Sequence, residues 1–486
     1  MINLLNVDAL LDAQLWLRVF LVVEWCIRIG MLIVVPFRRS PEAAKGWLLL
    51  IFFEPVLGYL AYLAIGRRRI PAWRRERVRA FNELARPTAE RLLAHREIHH
   101  PTPSPDFAPA VRLAATLGEM PILGGNAVEI LADYDRIIDR LIADIDAAKT
   151  DVHLLFYIFA DDDVGRRVVA ALERAEARGV TTRVLADALG SRTFGFEPML
   201  PRLAAAGIEA AETLRVGFFR RHTARMDLRN HRKIAVIDGH IGYTGSLNIV
   251  NPTFKPGLTY EELMVRVEGP IALELQAVFA ADWYLETGRL VGGDTAFPDP
   301  EARGDVPAQV LPSSPLYLRE NNQQLIVALV YAATRRVVIT TPYFIPDDPL
   351  LQALTSAVLR GVDVRLVVPG QDDQLLVSSA QKSYYGELLN AGVKICRYSR
   401  RFLHAKHATI DDRVAWVGSS NMDIRSFALN AEITLLVYDR GVCELLQVEQ
   451  ERYFREGEWL EAGTWAAQPL YRQVGWNLAR LFSPLL

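Results

Sequence analysis

The chain has 486 residues, with 55 Lys and Arg against 57 Asp and Glu and a formal net charge of −2, a balance that excludes a polybasic nucleic-acid binder. A hydrophobic content of 51% excludes a disordered chain, and a mean hydropathy of +0.11 points to part of the chain sitting in lipid. Three scattered cysteines (Cys26, Cys396, Cys443), with no Cys-x-x-Cys, exclude a disulfide scaffold and a cysteine zinc site and fit a reducing compartment.

In chain order, the apolar excess comes first. Gly46 to Ile65 (GWLLLIFFEPVLGYLAYLAI) carries one acid, Glu54, and runs into Arg67-Arg68-Arg69. About 20 apolar residues match the hydrocarbon core, which predicts a membrane-spanning helix kinked at Pro55. Leu15 to Pro36 is a second, weaker span because it contains Arg18, Glu24 and Arg28; Glu24 and Arg28, four apart, are placed to pair. Asp8 and Asp12 near the start argue against a cleavable signal peptide. The arginine-rich run from Arg67 to Arg79 reads as cytoplasmic and suits anionic lipid headgroups. Residues 71–120 read as a basic and polar linker, dotted with proline at 101–109 (PTPSPDFAP).

The remainder repeats itself. Around Asp151 the chain reads DVHLLFYIFADDDVGRRVVAAL, ARGVTTRVLAD, LAAAGIEAAETL; around Arg336 it reads RVVITTPYFIPDDPLLQAL, LRGVDVRLVVP, LLNAGVKICRY. Each copy predicts strand, helix, strand, helix, strand, an α/β unit in duplicate with strands buried on both faces. The halves span 121–294 and 316–470, separated by a Pro- and Gly-rich linker at 295–315 and followed by a tail at 471–486. In that tail, Tyr471, Val474, Gly475, Leu478, Leu481 and Phe482 form an apolar stripe suited to membrane or core.

Each half carries the same chemistry-bearing stretch, HRKIAVIDGHIGYTGSLN from His231 and HAKHATIDDRVAWVGSSN from His404. Both read His-x-Lys-x4-Asp-x6-Gly-Ser-x-Asn without a gap. On a strand, His and Lys two apart share a face. Asp238-Gly239 and Asp411-Asp412 predict hairpin turns between apolar strands. Gly245-Ser246 and Gly418-Ser419 would let backbone and hydroxyl donors come close to an anion. If the halves face each other, His231, Lys233, His404 and Lys406 surround one phosphate: two lysines hold its oxygens, one imidazole attacks phosphorus, the other protonates the leaving oxygen. A zinc site is the competing reading of paired histidines, but lysines in the same pocket repel a divalent cation.

This paired motif resembles that of the phospholipase D superfamily. The flanking stretches PVLGYLAYLAIG, MDLRN before His231, GPIALELQAVFAADWYLETGR, TTPYFIPDD and the terminal LFSPLL resemble the bacterial cardiolipin synthase family, so the likeness covers nearly the whole chain. It implies two pseudo-symmetric phospholipase D-like halves with mixed sheets flanked by helices, behind an N-terminal transmembrane helical pair. It implies one composite site, no metal or other cofactor, and transfer through a phosphohistidine. On the motif, His231 matches the nucleophile and His404 the general acid and then base, although the residues themselves do not break that symmetry. Lys233 and Lys406 match the phosphate-binding lysines. Asp238 and Asp411 complete the catalytic motif but fall at turns, which reads them as structural or as supports for the catalytic groups. Ser246, Asn248, Ser419 and Asn421 match the substrate side. A downstream acid in each half matches the carboxylate that orients a histidine: Glu262 lies 31 residues after His231, and Glu432 lies 28 after His404, so the loop after Gly-Ser-Leu-Asn is the longer.

Arginines in RRHTARMDLRN (220–230) and SRRFL (399–403) are candidates for a second anionic headgroup, and Tyr157 and Tyr343, at equivalent repeat positions, are further candidates. The resemblance implies an enzyme that joins two phosphatidylglycerol molecules into cardiolipin and glycerol, with anionic membrane lipids as its partners and no nucleic acid. It would be embedded as a multi-pass protein in the bacterial inner membrane, with its catalytic part cytoplasmic. The alternatives are a phospholipase D-type hydrolase or nuclease, in which water takes the same intermediate, and an inactive membrane scaffold. A nuclease would call for a basic, aromatic-lined groove, and a scaffold would have no need of two complete motifs.

Overall fold

The computed structural model describes residues 5–39, 41–66, 70–216, 227–292, 296–317, 320–481 and 483. It divides into two compact units, Met1–Pro71 and Ala72–Leu486.

The first unit is helical: α1 (Leu5–Val34), α2 (Pro41–Phe53) and α3 (Pro55–Ala61), followed by a π turn over Tyr62–Gly66. The single helix expected over 46–65 is cut in two. Proline disfavours helical backbone in the residue before it, and Glu54, at φ −129° and ψ 80°, leaves the helix so that Pro55 opens the next one. Arg28 Nε donates to the carbonyl of Phe52 just before this break, and its guanidinium pairs with Glu24 at 3.1 Å, as the four-residue spacing predicts. Met31, Val35, Ala44, Ile51 and Tyr62 form a small core, while Trp16, Phe20, Trp25, Ile29, Leu49, Phe53 and Leu57 are exposed. Among the described residues no helix is long and apolar enough to cross a membrane. The run Arg67–Arg69 lies outside the described residues.

The second unit begins where a linker was expected. α4 (Ala72–Leu93) and α5 (Ala108–Gly118) are packed elements rather than connecting chain. Arg74 pairs with Glu286, Arg77 donates to the Leu285 carbonyl at 2.7 Å, and Phe81 lies against Tyr284. Phe107, Ala110, Ala114 and Leu117 enter the core. The arginines thus act as much through contacts with their own protein as by facing solvent or lipid.

The first half contains β1 (Leu123–Leu131), β2 (Asp151–Phe156), β3 (Thr181–Asp187), β4 (Glu209–Thr213), β5 (Ile234–Ile237), β6 (Ile241–Gly245), β7 (Tyr260–Glu261) and β8 (Met264–Glu268). The second contains β9 (Val306–Ser313), β10 (Arg336–Thr340), β11 (Phe344–Ile345), β12 (Asp363–Pro369), β13 (Lys394–Tyr398), β14 (Phe402–Leu403), β15 (His407–Ile410), β16 (Val414–Gly418), β17 (Met422–Asp423), β18 (Glu432–Val437) and β19 (Gly457–Trp459). Fifteen of these form one mixed sheet in the order β19-β13-β12-β10-β15-β16-β18-β9-β1-β8-β6-β5-β2-β3-β4. The repeat is visible in it: β2, β3 and β4 are parallel, as are β10, β12 and β13, with antiparallel hairpins β5–β6 and β15–β16 alongside.

The halves meet at the antiparallel pair β1–β9. β9 lies inside the 295–315 segment read as a linker. Its prolines mask it as a strand, but buried Ala308, Val310 and Leu311 and a full ladder to β18 make it the second half's counterpart of β1. One sheet face carries a core shared by both halves, under the helices Ile271–Thr287 and Arg440–Glu456. The other carries a separate core for each half. Alternation along β5 shows the two-faced burial: Ile234 and Val236 enter the shared core, Ala235 and Ile237 the outer one. In the C-terminal helix Leu470–Arg480, Trp476 stacks on Trp465 and Arg480 lies over Tyr384. Its apolar stripe turns away from the core, with Tyr471, Val474, Leu478 and Leu481 all exposed. Phe482 and 484–486 lie outside the described residues.

Both hairpin turns form as read, with positive φ at the two central residues: Asp238 and Gly239 in one, Asp411 and Asp412 in the other. The aspartates do more than turn the chain. Asp238 accepts from the backbone N–H of Lys149, Thr150 and Asp151, and Asp411 from those of Thr334, Arg335 and Arg336 at 2.7–2.8 Å. Each carboxylate therefore ties its hairpin to the start of the adjoining parallel strand. They sit beyond the far ends of β5 and β15, seven residues of chain from the histidines, which is about 23 Å if extended. Burial pushes the Asp411 carboxyl up, and the amides of Arg336, Thr334 and Arg335 outweigh it, leaving it below the usual range. Its stabilising contribution is therefore present above the ordinary carboxylate pKa and lost as pH falls through the depressed one. Asp411→Ala is expected to lower unfolding stability by about 2–4 kcal/mol at neutral pH. An unchanged denaturant midpoint would contradict this structural role.

Candidate active site

The His-x-Lys residues lie just ahead of the hairpin strands rather than on them, since β5 begins at Ile234 and β15 at His407. Each is guided in by chain from the opposite half. His231 N donates to the Ala431 carbonyl, and Ala431 N to that of Arg229, so Asn230 and Ala431 form a parallel bridge. In the other half, β14 runs parallel to β7, and His404 N donates to the Glu261 carbonyl at 2.9 Å.

These short crossovers set the orientation of both imidazoles. His231 Nδ1 lies 3.0 Å from Glu432 Oε2, and His404 Nδ1 lies 2.7 Å from Glu262 Oε1. The acids are those expected, but each orients the histidine of the other half, not the one from which its spacing is counted. His231 Nδ1 also meets the Ser419 carbonyl at 3.1 Å. A carbonyl only accepts, so Nδ1 carries the proton and Nε2 keeps a lone pair.

The serines also depart from expectation. Ser246 Oγ donates to Glu262 and Ser419 Oγ to Glu432, each at 2.5 Å, so the hydroxyls fix the glutamates instead of facing a ligand. The glycines before them admit that approach. A Cβ on Gly245 would lie 2.4 Å from the Leu263 carbonyl oxygen, and one on Gly418 would lie 2.4 Å from that of Ile433. Asn248 accepts from Ile158 N at 3.1 Å, whereas buried Asn421 Oδ1 has no hydrogen-bond partner among the described residues.

The lysines are almost wholly buried and mirror one another. Lys233 Nζ donates to the His231 carbonyl and Lys406 Nζ to that of His404, both at 2.6 Å. Burial pushes the Lys233 ammonium down to about 7 and that of Lys406 to about 8, against the pull of Glu432 and Glu262. Burial likewise lowers His231 to about 4, opposed by Glu432 and assisted by both lysines, and lowers His404. The glutamates move the other way: burial raises them, but the histidines and lysines outweigh it, leaving both carboxyls below their ordinary value. Lys406 acts on His231 and Lys233 on His404, so the two motifs share one electrostatic field.

Several supports were not singled out in the sequence. Arg232, between His231 and Lys233, bonds Asp282 at 2.6 Å and the carbonyls of Glu432 and Ser313. Arg229, by contrast, is one of the headgroup candidates of 220–230, and it is buried against Asp187 at 3.0 Å instead of facing a ligand. Tyr260 stands edge-on to His404 as Tyr157 does to His231, with centroids 5.3 and 4.9 Å apart. A buried acid on the helix at Asp282 facing the Arg between His and Lys was the available signal for the first. Residues 217–226, including Arg220, Arg221 and Arg225, lie outside the described residues. Arg400 and Arg401 pair with Glu456 and Glu261.

Comparison with known proteins places this geometry. The family model described as "Cardiolipin synthase, PLD-like domain" matches residues 141–283 and 326–454, the two halves. Cardiolipin synthase A of Yersinia pseudotuberculosis serotype O:1b (strain IP 31758) is 35% identical over 480 residues, covering 97% of this chain and 98% of the relative. The chain belongs to the cardiolipin synthase family of phospholipase D-like proteins. Cardiolipin synthase A of Yersinia pestis matches to the same extent. Phosphatidylserine synthase of Haemophilus influenzae Rd KW20 shares the fold at a TM-score of 0.59 and 17% identity, over 78% of this chain and all of that one.

An anion entering the site favours the charged lysines and so raises their depressed pKa values. Binding of inorganic phosphate near pH 8 is therefore expected to take up protons, read by calorimetry as a binding enthalpy that varies with the buffer's ionisation enthalpy. An enthalpy independent of buffer would contradict the depressed lysines.

Proposed function

We infer that the protein is a phosphatidyltransferase of the cardiolipin synthase type, joining two phosphatidylglycerol molecules into cardiolipin and releasing glycerol. The observation that carries this reading is the crossed pair of His–Glu contacts with a buried lysine beside each histidine. His231 Nε2, its lone pair freed by the proton on Nδ1, attacks the phosphorus of the first lipid. The P–O bond to glycerol breaks, and that oxygen takes a proton from His404. A hydroxyl of the second phosphatidylglycerol then gives its proton back to His404 and displaces the histidine. Lys233 and Lys406 hold the non-bridging oxygens, where negative charge is concentrated. The entering phosphodiester raises the His404 pKa by its charge, so that the imidazole is protonated when the leaving oxygen needs it. One phosphodiester is exchanged for another, so the reaction calls for no nucleotide, metal or other cofactor.

The membrane attachment belongs to the same proposal. The exposed apolar side chains of α1 and α2 suit lipid, and the Glu24–Arg28 pair neutralises two charges within α1. The exposed stripe of the C-terminal helix suits an anionic bilayer surface. We place the protein in the bacterial inner membrane as a multi-pass protein with its catalytic unit cytoplasmic, and give nucleic acid no part in its work.

Purified protein in detergent, supplied with phosphatidylglycerol alone and a chelator of divalent cations, is expected to yield cardiolipin and glycerol. His231→Ala and His404→Ala should each reduce turnover by about 10²–10⁴-fold or more. Phosphatidic acid as the sole product would make water the acceptor and overturn the transferase reading. Wild-type turnover in either variant would overturn the two-histidine site.

A further inference from the structure

The two motifs mirror one another, but their surroundings differ on one side. In the second half, the loop after β12 brings in Asp373, whose side chain is 3% exposed. Three donors converge on one of its oxygens: Tyr343 Oη at 2.7 Å, Lys255 Nζ at 2.8 Å and Tyr260 Oη at 3.2 Å, all to Oδ2. Among the described residues Oδ1 receives no hydrogen bond. This cluster adjoins His404. Tyr260 is edge-on to that imidazole at 5.3 Å, and the Phe402 ring lies 6.4 Å from His404 and 6.5 Å from Tyr343.

Among the described residues the first half does not repeat this cluster, and its buried acid, Asp187, is paired with Arg229 instead. Counted from the starts of the matching strands, Thr181 and Asp363, the place of Asp373 is taken by Ser191, whose hydroxyl donates to the Tyr157 carbonyl. Lys255 comes from the loop between Asn248 and Glu262, which is three residues longer than its counterpart between Asn421 and Glu432. Both charged members of the cluster are thus departures from the repeat, at positions the shared scaffold does not require.

We propose that Asp373, Lys255 and Tyr343 form the alcohol subsite beside His404, binding the glycerol headgroup through the hydroxyl adjacent to the reacting one. Asp373 Oδ1 accepts that hydroxyl, and Lys255 keeps the carboxylate compensated. The leaving glycerol and the attacking headgroup pass through this one subsite, because each exchanges its proton with His404: the first as its bond to phosphorus breaks, the second as its own bond forms and the bond from phosphorus to His231 breaks. The same placement settles which histidine serves the alcohol. With an ammonium already on the carboxylate, a neutral vicinal diol is accepted, whereas the ammonium of ethanolamine would meet Lys255.

The inference rests on the phosphatidyltransferase reading and is tested separately from it. The full-length protein is given phosphatidylglycerol as donor, and 1,2-propanediol, 1,3-propanediol and ethanolamine compete as acceptors, with the phosphatidyl products quantified. Wild type is expected to prefer 1,2-propanediol. Asp373→Asn should lower that preference by about 10–100-fold, the worth of a hydrogen bond to a charged group. Lys255→Met, with its thermal unfolding followed alongside, should raise the share of ethanolamine product. Turnover with an unchanged ranking of alcohols in Lys255→Met and in folded Asp373→Asn overturns the subsite alone. A wild-type protein that makes no phosphatidyl product from any alcohol overturns the transferase reading as well.

Discussion

Each histidine of this protein is held by a glutamate from the other half of the chain, and the rest of the catalytic unit is arranged around that exchange. An imidazole needs a fixed tautomer and a fixed plane to act as nucleophile or proton carrier. Here the fixing carboxylate cannot be supplied locally, because the histidine leaves its own half to meet the partner's strand edge. The consequences follow down the chain. The chain around His231 and His404 runs parallel to the segment carrying the partner's glutamate. Gly245 and Gly418 lack side chains because a backbone carbonyl occupies that space. Arg232 reaches across to the carbonyls of Glu432 and Ser313. The two halves cannot form the site independently, which gives the continuous sheet through β1 and β9 its functional meaning.

The electrostatics show what this arrangement is for. Two lysines and two histidines lie buried with two glutamates, and burial holds all four bases below their ordinary pKa. For a folded protein alone that is a cost, since a group kept from its preferred charge destabilises the native state. A phosphodiester anion reverses it by supplying the missing negative charge. The site is incomplete without an anionic ligand in the same sense that an unpaired buried charge is incomplete, so strain of this kind marks the place where chemistry occurs.

Symmetry and its breaking divide the labour. The duplicated strands, hairpins, lysines and His–Glu contacts make a scaffold able to hold phosphorus between two equivalent imidazoles. That equivalence leaves open which imidazole is attacked and which carries the proton. In the proposed alcohol subsite that choice is made by residues outside the repeat, on the long loop bearing Lys255 and the acidic loop bearing Asp373, both on the side of His404.

The sequence by itself determined the duplication, the strand and helix order of each half, the hairpin turns and the two His-x-Lys pairs that the fold brings together, because each depends on short-range periodicity or on a motif repeated without a gap. It also named Glu262 and Glu432, though not whose histidine each would serve. What only the tertiary structure decided was everything set by contacts between distant segments. Crossed pairing has no spacing signature, since the partners lie 142 and 201 residues apart. β9 was hidden by prolines that its place in the sheet tolerates. Ser246 and Ser419 looked like ligand donors until the glutamates were found against them. Asp238 and Asp411, part of the motif but read as structural from their place at turns, bind backbone amides beyond the far ends of their strands, a partner that no local pattern names. Local sequence specifies which groups are present and what backbone they prefer; the closure of one half on the other decides which of them meet.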